Sequence, residues 1–464
     1  MSAPLPMFLN SGLVSIQGAS LNFDALSAGD AMFTVEQGGT YESDVGISGT
    51  VYASSSIVGD GFAGSYVNPD SFIGTDAGID LQPASVMYDV ALVPNAAGTG
   101  EDILATMKSF DQVLGASAAS PAASLAPYLD ANHDLMLGSS IFTQLNASPT
   151  LAALDANIIN QFGLDLIPNF AKQNLDVLKS ANARANASLF DTPVSDDNVR
   201  AMAGYDFFGR ERDDWNGLTG YKDQAHSLFL MGDKAYDNTF RYGLGMSLSY
   251  LNSDYNNKDK RKEVIVQVFA PLTTKFNDTL SLITTPRLGV GFGDYRRRVD
   301  DVVYRADTQN YYYGVSNELR KDIDVGMFTL QPTAELNALG IYQDTMKENG
   351  GIEAKPGNNV SVEGGLGLYA KKTFELSEED ALKFRVGGGY YHEFNDTFSG
   401  VKASMAGMAG SYHMQRYATD RDRGVLSVAA SWRHKMMNFY LQLSQFIERS
   451  NATQIDAGVR YDFK

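Results

Sequence analysis

From Arg200 to the C-terminus the chain alternates apolar and polar residues with a period of two, and few folds can use that pattern over so long a stretch. In the last run Ile455, Ala457, Val459, Tyr461 and Phe463 fall on one face, with Asp456, Gly458, Arg460 and Asp462 on the other. Tyr242, Leu244, Met246, Leu248 and Tyr250 oppose Arg241, Gly243, Gly245, Ser247 and Ser249 in the same way. So do Val362, Leu366 and Leu368 against Glu363, Gly365, Gly367, Tyr369 and Lys371. The runs are about ten residues or longer, where soluble strands average five or six and a tilted bilayer-crossing strand needs roughly nine to eleven.

The connections also alternate. Short turns are expected near 233–238, 273–278, 321–326, 375–381 and 435–438, and long loops near 209–224, 252–262, 293–308, 343–359 and 395–424. Short periplasmic turns and long outer loops define an outer-membrane barrel, so lipid is the better partner for the apolar face. The count predicts an all-β transmembrane barrel of twelve antiparallel strands over 200–464. Tyr311, Tyr313, Phe328, Tyr342, Tyr390 and Phe439 stand at strand ends, where interface girdles form. The alternative is a soluble β-rich protein.

Composition agrees. There are 55 acidic against 37 basic residues, a net charge of -18, which argues against a nucleic-acid partner. Cysteine is absent, which suits passage through an oxidising periplasm. No apolar stretch is long enough for a transmembrane helix. Met1-Ser-Ala-Pro-Leu-Pro6 lacks the features of a signal peptide, so a processed or truncated start is expected.

Two other textures precede the barrel. Residues 1–100 carry short β-prone runs punctuated by Gly and Asp, such as 45–52 and 57–62, which fit coils of a β-solenoid or else a small sandwich. Residues 101–190 read as a helical linker, from the three- and four-residue spacing of Ile103, Met107, Phe110 and Leu114. Ser120 before Pro121 marks a helix start, and Pro168 a break. The helix over about 169–189 holds few large apolar residues and many polar ones, including Lys172, Asp176, Lys179, Asn182, Arg184 and Asn186. It suits a polar channel better than an ordinary core. Glycines expected on the inner wall (Gly243, Gly245, Gly365, Gly367, Gly458) would leave room for it or serve barrel curvature.

Chemistry is sparse. No Gly-Xaa-Ser-Xaa-Gly elbow occurs, and the five histidines stand singly without metal-ligand spacing, so neither catalytic residues nor a cofactor or metal is expected. The glycines of 289–293 and 387–389 lack a following Lys-Ser/Thr and read as strand glycines. Arg296, Arg297 and Arg298 form the one basic cluster. It is expected at the outer rim, where it would meet lipopolysaccharide phosphates or be balanced by Asp300 and Asp301.

These residues resemble the type V autotransporters of Gram-negative bacteria over about 85–463. Val86-Met-Tyr-Asp-Val-Ala-Leu-Val93 looks like the end of a passenger, and Ser117–Leu129 and Leu151–Asn157 resemble the pre-barrel region. Val386–Phe394 is similar to the family's ninth strand, and Ala457–Phe463 to its closing strand. The resemblance implies a twelve-stranded barrel with a helix in its lumen, displaying an N-terminal passenger at the cell surface. It implies that Val459, Tyr461 and Phe463 carry the signal read by the barrel-assembly machinery, with periplasmic chaperones and outer-membrane lipid as further partners of a monomer. Lys464 after Phe463 departs from the family's aromatic ending. Some members release their passenger through an asparagine in the lumenal helix. Asn182-Ala and Asn186-Ala do not match that motif, so an uncleaved tether is expected. The competing readings are a diffusion porin with residues 1–190 in the periplasm, and a surface enzyme whose catalytic module lies upstream.

Overall fold

The computed structural model describes residues 8–17, 21–22, 33–54, 65–115, 120–188, 199–214, 219–395, 400–414, 421–448 and 451–463. The chain forms two compact units, residues 1–164 with 404–413, and residues 165–403 with 414–464.

In the first unit, short strands stack in parallel. Phe8 pairs with Phe33, Phe33 with Val51 and Val51 with Leu81, so each turn of chain adds one rung to a ladder. Parallel rungs of this kind make a β-solenoid, and an antiparallel pair, Tyr88–Pro94 with Gly100–Met107, lies at its edge. Gly100–Met107 is a strand although a helix was expected there. Ile103 and Met107 happen to sit four apart, but Ile103 is fully buried in the sheet and the strand pairing decides.

The first helix, Phe110–Leu114, begins at a capping box between Ser109 and Gln112. Asp130 accepts the Phe110 and Asp111 N–H groups at 2.7 and 3.1 Å. Ser120 caps the 3-10 turn Pro121–Leu125, and helix Leu151–Phe162 stops at Gly163, whose φ of 60° ends it in the left-handed region. The rings of Tyr128, Phe162 and Tyr412 meet at 4.9 to 6.4 Å.

The second unit is a closed antiparallel barrel of twelve staves. These are β1 (Val199–Arg212), β2 (Tyr221–Ala235), β3 (Phe240–Tyr255), β4 (Lys260–Phe269, resuming as Leu272–Asn277), β5 (Leu280–Val299) and β6 (Val302–Lys321). They continue as β7 (Thr329–Gln343), β8 (Gly357–Glu375), β9 (Asp380–Glu393), β10 (Asp422–His434), β11 (Met437–Ile447) and β12 (Asn451–Phe463). Each pairs with its neighbour in sequence, and β12 closes the ring on β1, with Phe463 opposite Val199 and Asn451 opposite Glu211. Pro271, which has no N–H to give the ladder, interrupts β4.

The rim holding Val199 and Phe463 also holds the short turns. Asp237 and Asn277 tie two of them by accepting the N–H groups two and three residues on. The opposite rim differs from expectation. Where long loops were read at 252–262 and 293–308, the strands run on, and β5 and β6 reach 20 residues each across a two-residue turn at Asp300 and Asp301. Residues 294–307 carry many charges. They suit a strand whose outer face stands above the bilayer in water.

Alternation sorts the walls as predicted. Leu244 is 69% exposed and Leu366 70%, on an outward band with Leu230, Leu288, Leu426 and Leu441, which only lipid would cover. Tyr311, Phe328, Tyr342, Tyr390 and Phe439 stand on this outer surface. Inward positions carry Asp206, Arg210, Glu263, Glu318 and Glu363, all buried.

Candidate functional site

The inward-facing charges are buried because a helix occupies the barrel. Phe170–Ser188 follows a 3-10 turn at Ile167–Asn169, and its polar side chains reach seven different staves. At its N-terminal end the Phe170 ring lies 4.6 Å from the Arg261 guanidinium and 5.0 Å from the Tyr295 ring. Gln173 accepts from the Tyr255 hydroxyl at 2.9 Å and donates to Asp223 at 3.4 Å. Asn174 donates to Glu263 at 3.1 Å and to Tyr312 at 2.8 Å, and accepts from Arg261 at 2.6 Å.

One turn on, Asp176 pairs with Lys172 at 2.8 Å and with Arg210, which also holds Asp223 at 2.6 Å. Lys179 then bridges Glu363 at 2.9 Å and Glu393 at 3.2 Å, while Arg423 takes the other Glu363 oxygen at 2.6 Å. A helix gripped by β1, β2, β3, β4, β6, β8 and β9 can only lie inside the ring.

Polar grip is not all. Ala171, Leu175, Val177 and Leu178 are fully buried in a cluster with inward-facing Phe208, Leu251, Ile265, Leu339, Ile341 and Phe446. The sequence suggested too little apolar surface for a core. The structure supplies a belt of inward apolar side chains at the helix's depth, so four residues suffice. Three of the inner-wall glycines make room for a neighbouring ring. An aromatic ring covers Gly245 (Phe269), Gly365 (Tyr391) and Gly458 (Tyr440), filling lumen rather than clearing it. Gly289, Gly291 and Gly293 lie within β5, as strand glycines.

Of the residues singled out in the sequence, Lys172, Asp176 and Lys179 face the barrel wall. Asn182, Arg184 and Asn186 lie on the same helix, with side chains outside the described residues. Val459, Tyr461 and Phe463 point outward from β12. Arg296 and Arg298 also point outward, but Arg297 is turned in and bound through two nitrogens to Glu348 at 2.7 and 2.8 Å. Strand alternation forbids three successive arginines from sharing a face. Gln173 and Asn174 were missed, as were their wall partners. A charge in mid-strand on the face opposite the apolar row was the available signal for the latter.

Outside the spanning segments, burial pushes the Asp165 carboxyl up to about 6 and the Asp259 carboxyl up to about 7. Thr219 donates to Asp165, and the Arg298 N–H donates to Asp259 at 2.6 Å. Among the described residues no three His, Cys, Asp or Glu side chains are grouped to hold a metal.

Lys179 is shared by two buried carboxylates, of which Glu363 is also held by Arg423. Breaking a buried pair costs up to roughly 3–5 kcal/mol, and here Glu393 loses its lysine while Glu363 keeps Arg423. We expect Lys179→Met to lower the barrel's unfolding temperature and to speed amide exchange along Phe170–Ser188. Lys172→Met, which leaves Asp176 paired to Arg210, should do much less. Equal exchange in the two variants would show that the Lys179 bridge does not hold the helix.

A closed barrel with an apolar outer band and a helix sealed in its lumen defines a plugged outer-membrane protein. The autotransporter beta-domain model matches residues 199–444, and the chain belongs to that family. Among solved structures it is similar to the translocator domain of the autotransporter NalP from Neisseria meningitidis. The match has a TM-score of 0.53 at 13% identity and covers 64% of this chain and 100% of that one. The β-domain of the Bordetella autotransporter BrkA matches with a TM-score of 0.43 at 19% identity, covering 57% of this chain and 99% of that one. No curated protein matches the chain. The protein is an outer-membrane translocator that anchors in the bilayer and exports its passenger to the cell surface. The translocator family is not catalytic.

Proposed function

We propose that residues 1–100 belong to the passenger, that 101–164 link it to the barrel, and that the helix is both its tether and the seal of the pore. The carrying observation is the set of hydrogen bonds and ion pairs from Gln173, Asn174, Asp176 and Lys179 to seven of the twelve staves. An open diffusion pore would leave these carboxylates and guanidiniums to water, which counts against the porin reading. The tether stays uncleaved, since Asn182 and Asn186 are each followed by alanine. Val459, Tyr461 and Phe463 form the outward row that the assembly machinery reads, periplasmic chaperones hold the unfolded chain, and the barrel works as a monomer. Folding of barrel and passenger supplies the work of transfer, no nucleotide being available in the periplasm.

Protease added to intact cells tests the topology. A cleavage site placed at Ala97–Gly98, in the exposed turn between the two edge strands, should be cut from outside while the barrel stays protected. Cutting only after the outer membrane is permeabilised would put the N-terminal unit in the periplasm and bring the porin reading forward.

A further inference from the structure

The outward face of β3 to β6 changes character near the long-stranded rim. Three cations stand directly opposite one another on adjacent staves, Lys260 with Arg296 and Arg296 with Arg305. With strands about 4.8 Å apart, the row spans roughly 10 Å. Like charges in direct cross-strand register destabilise a sheet, so such a row calls for an anion. Asp254 lies 3.1 Å from Lys260 and Asp294 3.5 Å from Arg296, but these are exposed pairs, of a kind worth little.

One rung toward the bilayer come Lys262, Asp294 and Asp307, and the next holds Tyr250, Val264 and Phe292, each at least 40% exposed. Between these rungs lies a groove of about 660 Å³, with Tyr250, Val264 and Phe292 on its apolar side and Lys262, Asp294, Asp307 and Asp344 on its polar side. The basic row lies just beyond the groove, past the mixed rung of Lys262, Asp294 and Asp307, and apolar side chains lie on the bilayer side. This order suits an amphiphile whose anionic head reaches the cations while its acyl chains lie below.

We propose that this groove binds a phosphorylated glycolipid of the outer leaflet, its phosphate on Lys260, Arg296 and Arg305 and its acyl chains along Val264 and Phe292. The site replaces the three successive arginines of the sequence with cations from three strands, and Arg297 has no part in it. Phosphate suits guanidinium and ammonium donors alike, and two arginines allow forked contacts. The assignment rests on the outer-membrane reading above.

The test uses the full chain folded in phosphatidylcholine nanodiscs, with purified rough lipopolysaccharide as probe and bound lipid read by native mass spectrometry. Lys260→Ala, Arg296→Ala and Arg305→Ala combined should weaken retention at least tenfold. Lipopolysaccharide stripped of phosphate should bind the unaltered protein as weakly as that. Arg433→Ala with Lys435→Ala, at the opposite rim, should leave binding unchanged. Equal retention by the triple variant, equal binding of the stripped lipid, or equal loss from the opposite rim would each overturn the site. If the triple variant does not fold, Arg305→Glu alone takes its place, with the same loss expected. Electrophoresis of the same samples, boiled and unboiled, separates the two levels. A heat-shifted band without binding removes the lipid site alone, whereas no shift removes the barrel reading and the site with it.

Discussion

Deleting residues 1–190 is expected to turn a weakly conducting protein into a persistently conducting one in planar bilayers. An α-helix with its side chains is roughly 10–12 Å across, and a twelve-stranded ring leaves room for one and little else. Here the helix contributes Leu175, Val177 and Leu178 to a buried cluster and Gln173, Asn174, Asp176 and Lys179 to the polar contacts. Without it, Glu363, Glu393, Asp223 and Arg210 line water, and both conductance and open probability rise. The unfolding temperature should fall as well, since the cluster loses its centre. Like conductance from the full and shortened proteins would mean that the helix does not seal the pore, and the tether-and-seal role would be withdrawn.

The second large effect concerns the closing strand. Val459 stands outward on β12, beside Phe439 on β11 and Ala203 on β1. Arginine on the lipid face costs roughly 2–4 kcal/mol at the midplane and about 0–1 near the interface. Val459 is one outward position in from Tyr461, so Val459→Arg should cost roughly 2 kcal/mol, a bias of about thirtyfold against assembly. Arg460 faces in, with its guanidinium 2.9 Å from Asp462, so Arg460→Lys keeps the charge in the lumen and should barely change barrel yield. Equal yields from the two would reverse the register.

The barrel was legible because period two leaves a mark on every strand. Tyr242 to Tyr250 and Ile455 to Phe463 face outward as their spacing required. The rim was less legible. Hydrophilic residues such as Asp294, Arg296 and Arg305 mark a wet surface, and a strand standing above the membrane is as wet as a loop. The lumenal helix could be placed from its polarity. Its partners could not, because cross-strand register decides which inward residues meet, and Glu363 and Glu393 converge on Lys179 only once β8 and β9 are aligned. Strand Gly100–Met107 was misread because Ile103, Met107 and Phe110 satisfy a helical spacing by accident.

The pairing of β12 with both β11 and β1 sets a timetable. Until Asn451–Phe463 has been made, two rows of backbone N–H and C=O groups stay open, one on β1 and one on β11. Bare edges of this sort recruit other chains. The contacts that end this exposure join the most distant segments of the barrel, and distant pairings form slowly. The ring therefore closes only after its last strand has been made. Whatever shields the chain on its way to the membrane must cover two edges at once, and hand both over together.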